Sequence, residues 1–386
     1  MIGLLFFSLP VAGQLQLPYL FVKEIKDSSF AANKRIFAGY GTELLYSYVG
    51  QYDSALRVLD KNRKHVYQLR RNDSLRVAKY TFTDAAPYIL EQAKQRRIVI
   101  INEAHHISSG RVFSTALLAG LAKVGFNHFA VEGMPRQNDS LNLRGYPGLN
   151  DAWYYDPQYG NMLREALRTG YHVMGYDTAD RSVTDPMLFA FKRDSLGAVN
   201  IKKILDAHPD AKIFIHCGYS HGYKSVMPDV GKRFALLLRE MTGIDPFVIN
   251  QDYYNEMEIG KYRLPLLPTA DMPAVSAIRF DNGRYETDVA DVTICHAPTR
   301  MIHNRPAWLK LPGRNYYFPA KHLNARDTVL VLAYKATETI ADAMPADVIE
   351  LHGSKDRTAL VLERGDYSLL ILDRQRRGRR VNIKVK

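Results

Sequence analysis

The apolar positions of this chain follow two periods. Residues 98–101 are four consecutive aliphatics, too short a run for a core helix and β-branched enough for a buried strand, and they lead straight into Asn102, Glu103, His105 and His106. The pattern recurs downstream: residues 128–131 close on Glu132, 171–176 on Asp177, and 211–215 on His216, with Cys217-Gly-Tyr-Ser-His221 beyond it. Between these runs the period is helical. Val112, Phe113, Ala116, Leu117, Leu121 and Val124 share one face, as do Met162, Leu163, Ala166 and Leu167, and then Ile201, Ile204 and Leu205. Strand, helix and strand in alternation predict parallel βαβ units, hence an α/β fold with a mainly parallel sheet flanked by helices. The carboxyl ends of such strands open on one edge, where ligands bind, so Glu103, His105, Glu132, Asp177, His216 and His221 are expected to meet there.

The flanks read differently. Residues 14–82 form a polar, helical N-terminal region in which residues 44–56 resemble one tetratricopeptide hairpin, with Gly50, Tyr52 and Ala55 near the expected spacing. One repeat makes no solenoid, so the region is expected as a helical cap on the main domain. The α/β core is assigned to 83–319, opening on a helix with Pro87 in its first turn and including a helix over 228–242 stopped by Gly243 and strands over 245–250 and 291–296. Its long segment 133–158 carries Arg136, Asn138, Asn142, Tyr146, Trp153, Tyr154 and Tyr155, and is expected either to wall a site or to fill space over the sheet. Residues 320–386 are expected as a small C-terminal β appendage with turns at Gly353, Gly365 and Gly378.

Composition narrows the class. In 386 residues, 46% hydrophobic and 24% charged content is that of a globular chain. Residues 1–13 read as an apolar leader ending in small residues, Val11 and Gly13, so a signal peptide and export to the periplasm or cell exterior are expected. No later stretch is long and apolar enough to span a bilayer. The net charge of +12 favours anionic surfaces, but much of the excess sits in residues 374–380, a hairpin tip with no stacking aromatic, which argues against nucleic acid. Cys217 and Cys295 each lie in an apolar run and are expected as two buried thiols; no zinc-type cysteine spacing exists.

The polar edge allows two water-activating chemistries. In the metal-free one, His105 takes a proton from water while Glu103 or Glu132 orients its ring, and His221 or Arg111 stabilises the oxyanion. In the other, His105, His221 and one or two of Glu103, Glu132 and Asp177 hold a divalent zinc, manganese or cobalt ion. His106 follows His105 in extended chain and must point elsewhere. Gly218-Tyr-Ser220-His-Gly222 also spells the G-x-S-x-G of a nucleophile elbow, but no helix is expected to start at once after it. No phosphate-binding glycine motif follows a strand, so nucleotide chemistry is not expected.

Asn102-Glu-Ala-His105 resembles the G-E-x-H motif that opens the erythromycin esterase family and its relatives, the TraB/TIKI proteases and ChaN-like haem-binding lipoproteins. Gly218-Tyr-Ser-His221 is similar to the second, G-x-x-H, motif of the TraB/TIKI branch, and Glu132 stands where the superfamily has a strand-end carboxylate. The likeness covers residues 98–252 or so, with Asn102 in place of the first glycine and Arg111 at an inexact distance for the esterase arginine. It implies a hydrolase of ester or amide bonds in a small molecule or peptide. The ChaN-like relatives imply the alternative, a haem- or metal-binding envelope protein, with His105, His106, His216 and Tyr219 as possible axial ligands.

Overall fold

A computed structural model of the chain describes residues 17–27, 41–62, 75, 78–135, 139–178, 182–228, 231–254 and 274–386. The expected leader over 1–13 lies outside the described residues, as do Arg136 and Asn138. Among the described residues no helix is long and apolar enough to cross a membrane.

The helices are α1 (Val22–Lys26), α2 (Thr42–Tyr48), α3 (Tyr52–Asn62), α4 (Ala85–Ala93), α5 (Ser108–Lys123), α6 (Asp139–Arg144), α7 (Pro157–Arg168), α8 (Pro186–Ala207) and α9 (Phe234–Thr242). An eight-stranded sheet runs in the order β1-β7-β8-β6-β2-β5-β3-β4. Its strands are β1 (Thr81–Asp84), β2 (Ile98–Glu103), β3 (His128–Val131), β4 (His172–Gly175), β5 (Ile213–Gly218), β6 (Phe247–Tyr254), β7 (Val275–Arg279) and β8 (Val292–His296). From β8 through β4 every neighbour is parallel, while β7 runs antiparallel to both β8 and β1. The α/β fold with a mainly parallel sheet is therefore the one expected, and the strand over 291–296 belongs to it.

The two-residue period of β2 explains the layering. Val99 and Ile101 join Phe113, Leu117, Leu121, Met162 and Leu163 on the face covered by α5 and α7. Ile98 and Ile100 join Ala198, Ile201, Leu205, Phe234 and Leu238 under α8 and α9 on the other. With both faces covered, β2 has no polar residue until its carboxyl end, which is why its run is continuous. Asn142 of α6 caps the exposed edge of the sheet, giving and taking a hydrogen bond with the Val173 peptide at 2.8 and 2.9 Å.

The C-terminal strands β12 (Thr328–Lys335), β13 (Asp347–His352), β15 (Gly365–Leu372) and β16 (Gly378–Val385) form an antiparallel sheet in the order β13-β12-β15-β16. Shorter pairs join β9 (Met301–Ile302) to β10 (Arg305–Pro306) and β11 (Asn315–Tyr317) to β14 (Leu360–Leu362). The helical N-terminal region packs on both units. The helices α1–α3 cap this second sheet: Tyr19, Phe21, Leu45, Tyr48 and Val49 pack on Leu330, Leu332, Tyr334, Val348 and Leu370. From the α/β unit Tyr146, Leu149 and Tyr155 reach that cluster, and Tyr52 of α3 packs on Val112 of α5 and accepts from Gln158 at 3.2 Å. The hairpin tip is likewise docked, since Arg376 donates to Tyr19 O and pairs with Glu24, each at 2.6 Å. The helix expected over 228–242 is corrected in its start: α9 begins at Phe234, after Gly231, at φ +75°, pairs with Met227. It ends, as the sequence requires, on left-handed Gly243.

A buried ion pair fastens the flanks together. Arg305 donates to Asp347 at 2.6 Å with both side chains at most 1% exposed, and the same carboxylate accepts from Val348 N and Val361 N at 3.0 and 2.8 Å. Arg305 also reaches Gly50 O at 3.4 Å, in the α2–α3 turn, where an added Cβ would meet Val348 O at 2.5 Å. Asp347→Ala leaves that guanidinium buried without its countercharge and should lower the unfolding free energy by ~3–5 kcal/mol in urea titration. A loss below ~1 kcal/mol would contradict this role.

Candidate active site

Parallel pairing brings the strand ends into register: Glu103 lies opposite Gly218 across β2 and β5, and Val131 opposite His216 and Gly175 across β5 and β4. Glu103, Glu132, Asp177 and Gly218 therefore stand in a row along one edge of the sheet. The residues that join them from other elements divide into two clusters.

The first is built on Arg111, in the opening turn of α5 and fully buried. Its Nε and Nη2 donate to the Glu103 carboxylate at 2.9 and 2.6 Å, its Nη1 to Asp156 at 2.6 Å, and its Nη2 also to His105 O at 2.9 Å. Asp156 is the N-cap of α7, accepting from Gln158 N at 2.9 Å and Ser108 Oγ at 2.6 Å, so the starts of both helices are locked to the end of β2. His105 then has little freedom. Its Nδ1 is 3.0 Å from Glu103 Oε1, and its ring lies against Gly218, where an added Cβ would meet the imidazole at 2.3 Å. Tyr154 and Tyr219 flank it, each with ring centroids 4.9 Å away. The outward Nε2 faces Tyr154 Oη at 3.2 Å and Glu132 Oε1 at 3.8 Å.

The second cluster is built on α8. Arg193 donates to Glu132 at 2.5 Å and Asp177 at 2.6 Å, and Gly218 N donates to the other Glu132 oxygen. Asp177 also accepts from Gly133 N at 3.2 Å. His221 sits between this group and a third one: its Nδ1 pairs with Asp194, which also faces Arg233 Nε at 3.2 Å, and its Nε2 lies 3.4 Å from Arg193 Nη1 and 3.8 Å from Glu132 Oε1. A single Glu132 oxygen is thus equidistant from the outward nitrogens of both histidines.

The charges follow from these contacts. Burial alone would raise the Glu103 carboxyl, but Arg111, His216 and His105 hold it well below the usual range. Against the same effect of burial, His221, His105, Arg193 and the Gly218 amide do so for Glu132. Asp156 and Asp177 differ: burial leaves them above the usual range in spite of Arg111 and Arg193. His216, 2% exposed with Nε2 at 3.4 Å from Glu103, is pushed down to about 4 by burial, which outweighs the pull of that carboxylate.

Metal ligation requires imidazole and carboxylate donors able to converge at about 2.0–2.2 Å. Here Glu103 is held by Arg111, Glu132 and Asp177 by Arg193, and a fixed guanidinium lies 3.4 Å from His221 Nε2, where an ion would have to sit. Among the described residues no group of three or more His, Cys, Asp or Glu side chains is arranged to hold a metal ion. The set expected for zinc, manganese or cobalt does not fit one. Of the possible axial residues for haem, His106 and His216 are buried at 4% and 2% exposure, which leaves His105 at 17% and Tyr219 at 44%.

All six predicted site residues come together, but not in equal positions. His105 and His221 keep 17% and 13% side-chain exposure, Glu103, Glu132 and Asp177 are buried beside them, and Arg111 is behind Glu103 and cannot touch an oxyanion. The elbow reading of Ser220 is not supported by the backbone: β5 runs into a 3-10 turn, Tyr219–Gly222, and α9 starts only at Phe234. Tyr219 holds φ +44°, a strained value for a residue with a Cβ, and Asn102 fixes it by donating to Tyr219 O at 2.8 Å. Residues not foreseen are Asp156, Arg193, Asp194 and Arg233. One signal was available, since Asp194 falls at helical spacing on the buried stripe of Ala198, Ile201 and Leu205. The cysteines are two free, buried thiols as expected.

No protein-family model matches this chain, and no curated protein matches it in sequence. Among solved structures it is similar to the type III effector HopBA1, at 17% identity over 56% of this chain and 95% of that one, with a TM-score of 0.36. It is also similar to ChaN of Campylobacter jejuni, described for cofacial heme binding, at 9% identity over 54% and 91%, with a TM-score of 0.33. A structure described under bacterial protein toxins gives 13% identity over 58% and 47%, and a TM-score of 0.31. Scores of this size carry no conclusion about activity.

Two outcomes follow from the geometry. Gly218→Ala must displace the His105 ring, so the His105 Cε1 proton signal should shift while the circular dichroism spectrum stays native; an unmoved signal would refute the packing. For His216, whose folded value lies below its ordinary 6.5, the unfolded chain binds the extra proton. Its stabilisation is full above about pH 6.5 and is lost as pH falls to about 4. Urea unfolding across that window should show a shallower decline for His216→Gln than for the wild type, and equal slopes would contradict the shift.

Proposed function

We propose that this chain is a hydrolase that cleaves an ester or amide bond in a small molecule or peptide, using His105 as base without a metal ion. The observation that carries the reading is the brace behind His105: an ionised Glu103, fixed by the buried Arg111, facing Nδ1 at 3.0 Å. A carboxylate there favours the tautomer with the proton on Nδ1 and leaves Nε2 bare toward the cleft. It also stabilises the imidazolium once a proton arrives.

In the reaction, His105 Nε2 takes a proton from water as the water oxygen bonds to the carbonyl carbon and the carbonyl π pair moves onto its oxygen. When the adduct collapses, the bond to the leaving oxygen or nitrogen breaks and that atom takes the proton from His105. Arg193 bounds the opposite side beside His221, and its guanidinium offsets charge on Glu132 and Asp177, which lessens their repulsion of an anionic adduct.

An ester and peptide panel assayed for wild type, His105→Ala and Ser220→Ala tests the proposal. Hydrolysis should fall ~10²–10⁴-fold in His105→Ala, the usual worth of a general base, and persist in Ser220→Ala and in the presence of chelator. Activity that survives His105→Ala, or vanishes with chelator, would overturn it. Haem binding is the rival reading, on the exposed Tyr219 beside His105. A Soret band that appears on titrating haem into an inactive wild type, and is lost in His105→Ala, would favour that rival.

A further inference from the structure

We infer that the Tyr154 hydroxyl is the oxyanion donor of this site. The inference rests on the hydrolase reading. Tyr154 Oη lies 3.2 Å from His105 Nε2, the atom that would take the proton of the attacking water. In the tautomer proposed above, with the proton on Nδ1, Nε2 accepts and the phenol donates to it. A water entering at Nε2 displaces that bond, and the hydroxyl hydrogen rotates about its C–O bond toward the carbonyl oxygen. Base and donor are then both within reach of one reacting carbonyl, as acyl transfer requires.

The ring is anchored, so the hydroxyl is placed before substrate arrives. Gly133, at φ +82°, packs so closely that an added Cβ would meet Tyr154 Cε2 at 2.2 Å. Tyr159 lies 5.6 Å away on another side, and the Arg111 guanidinium sits 5.4 Å from the ring centroid. Burial, together with Glu132 and Glu103, raises the phenol well above its ordinary value, so it stays a donor throughout the working range of a histidine base. During attack the carbonyl π pair moves onto oxygen while the phenol keeps its proton and donates a hydrogen bond; on collapse that pair re-forms the carbonyl.

Tyr154→Phe keeps the anchored ring and removes only the hydroxyl. On the best ester of the panel, kcat should fall ~10²–10³-fold with KM little changed, the pattern of a donor used in the transition state. The His105 Cε1 proton signal of the free protein should also move. Unchanged kcat in Tyr154→Phe beside an active wild type would overturn this inference and leave the hydrolase reading standing. No hydrolysis by the wild type would remove both.

Discussion

The bidentate pair between Arg111 and Glu103 is the contact on which the rest of the site depends. Burial works against both charges, and each survives because the other is there: Glu103 and Asp156 keep the guanidinium protonated, and Arg111 is the chief cause of the ionised Glu103. The pair joins the end of the central strand to the first turn of α5, and through Asp156 to the N-cap of α7. Three elements are thereby fixed at the point where His105 leaves the sheet. A replacement that removed one charge would leave the other stranded, so the interaction specifies geometry more than it adds net stability.

The same arrangement recurs around the cleft with different partners. Arg193 holds Glu132 and Asp177, and Arg233 faces Asp194. Each histidine turns Nδ1 toward a buried carboxylate and Nε2 toward Glu132. The carboxylates are engaged by arginines and histidines, an arrangement that does not suit gathering a cation. Two of the glycines serve this packing by what they lack, Gly218 beneath His105 and Gly133 beneath Tyr154.

The parts of this structure that were legible in the sequence are those written in short-range periodicity. Ile98 to Ile101 announced a strand buried on both faces, and the polar residues that end β2, β3, β4 and β5 announced the shared edge. Pairing of charges at long range left no such trace. Asp194 shares the helical stripe of Ala198, Ile201 and Leu205, but nothing local in the Lys192-Arg-Asp run tells that Arg193 and Asp194 reach carboxylates and histidines on other elements. Asp156 lies in the long segment 133–158, and nothing local marks its bond to Ser108, 48 residues away. Nor could local pattern say which sheet α1–α3 would cover, since their apolar faces suit either.

The tautomer of His105 decides whether its Nε2 can act as a base. Long-range ¹⁵N–¹H correlation spectra of the histidine rings near neutral pH, for the wild type and Glu103→Gln, read it directly. The brace predicts that the neutral form of the His105 ring carries its proton on Nδ1 in the wild type, with loss of that preference when Glu103 no longer carries charge. A wild-type ring protonated on Nε2 alone would contradict the proposed base.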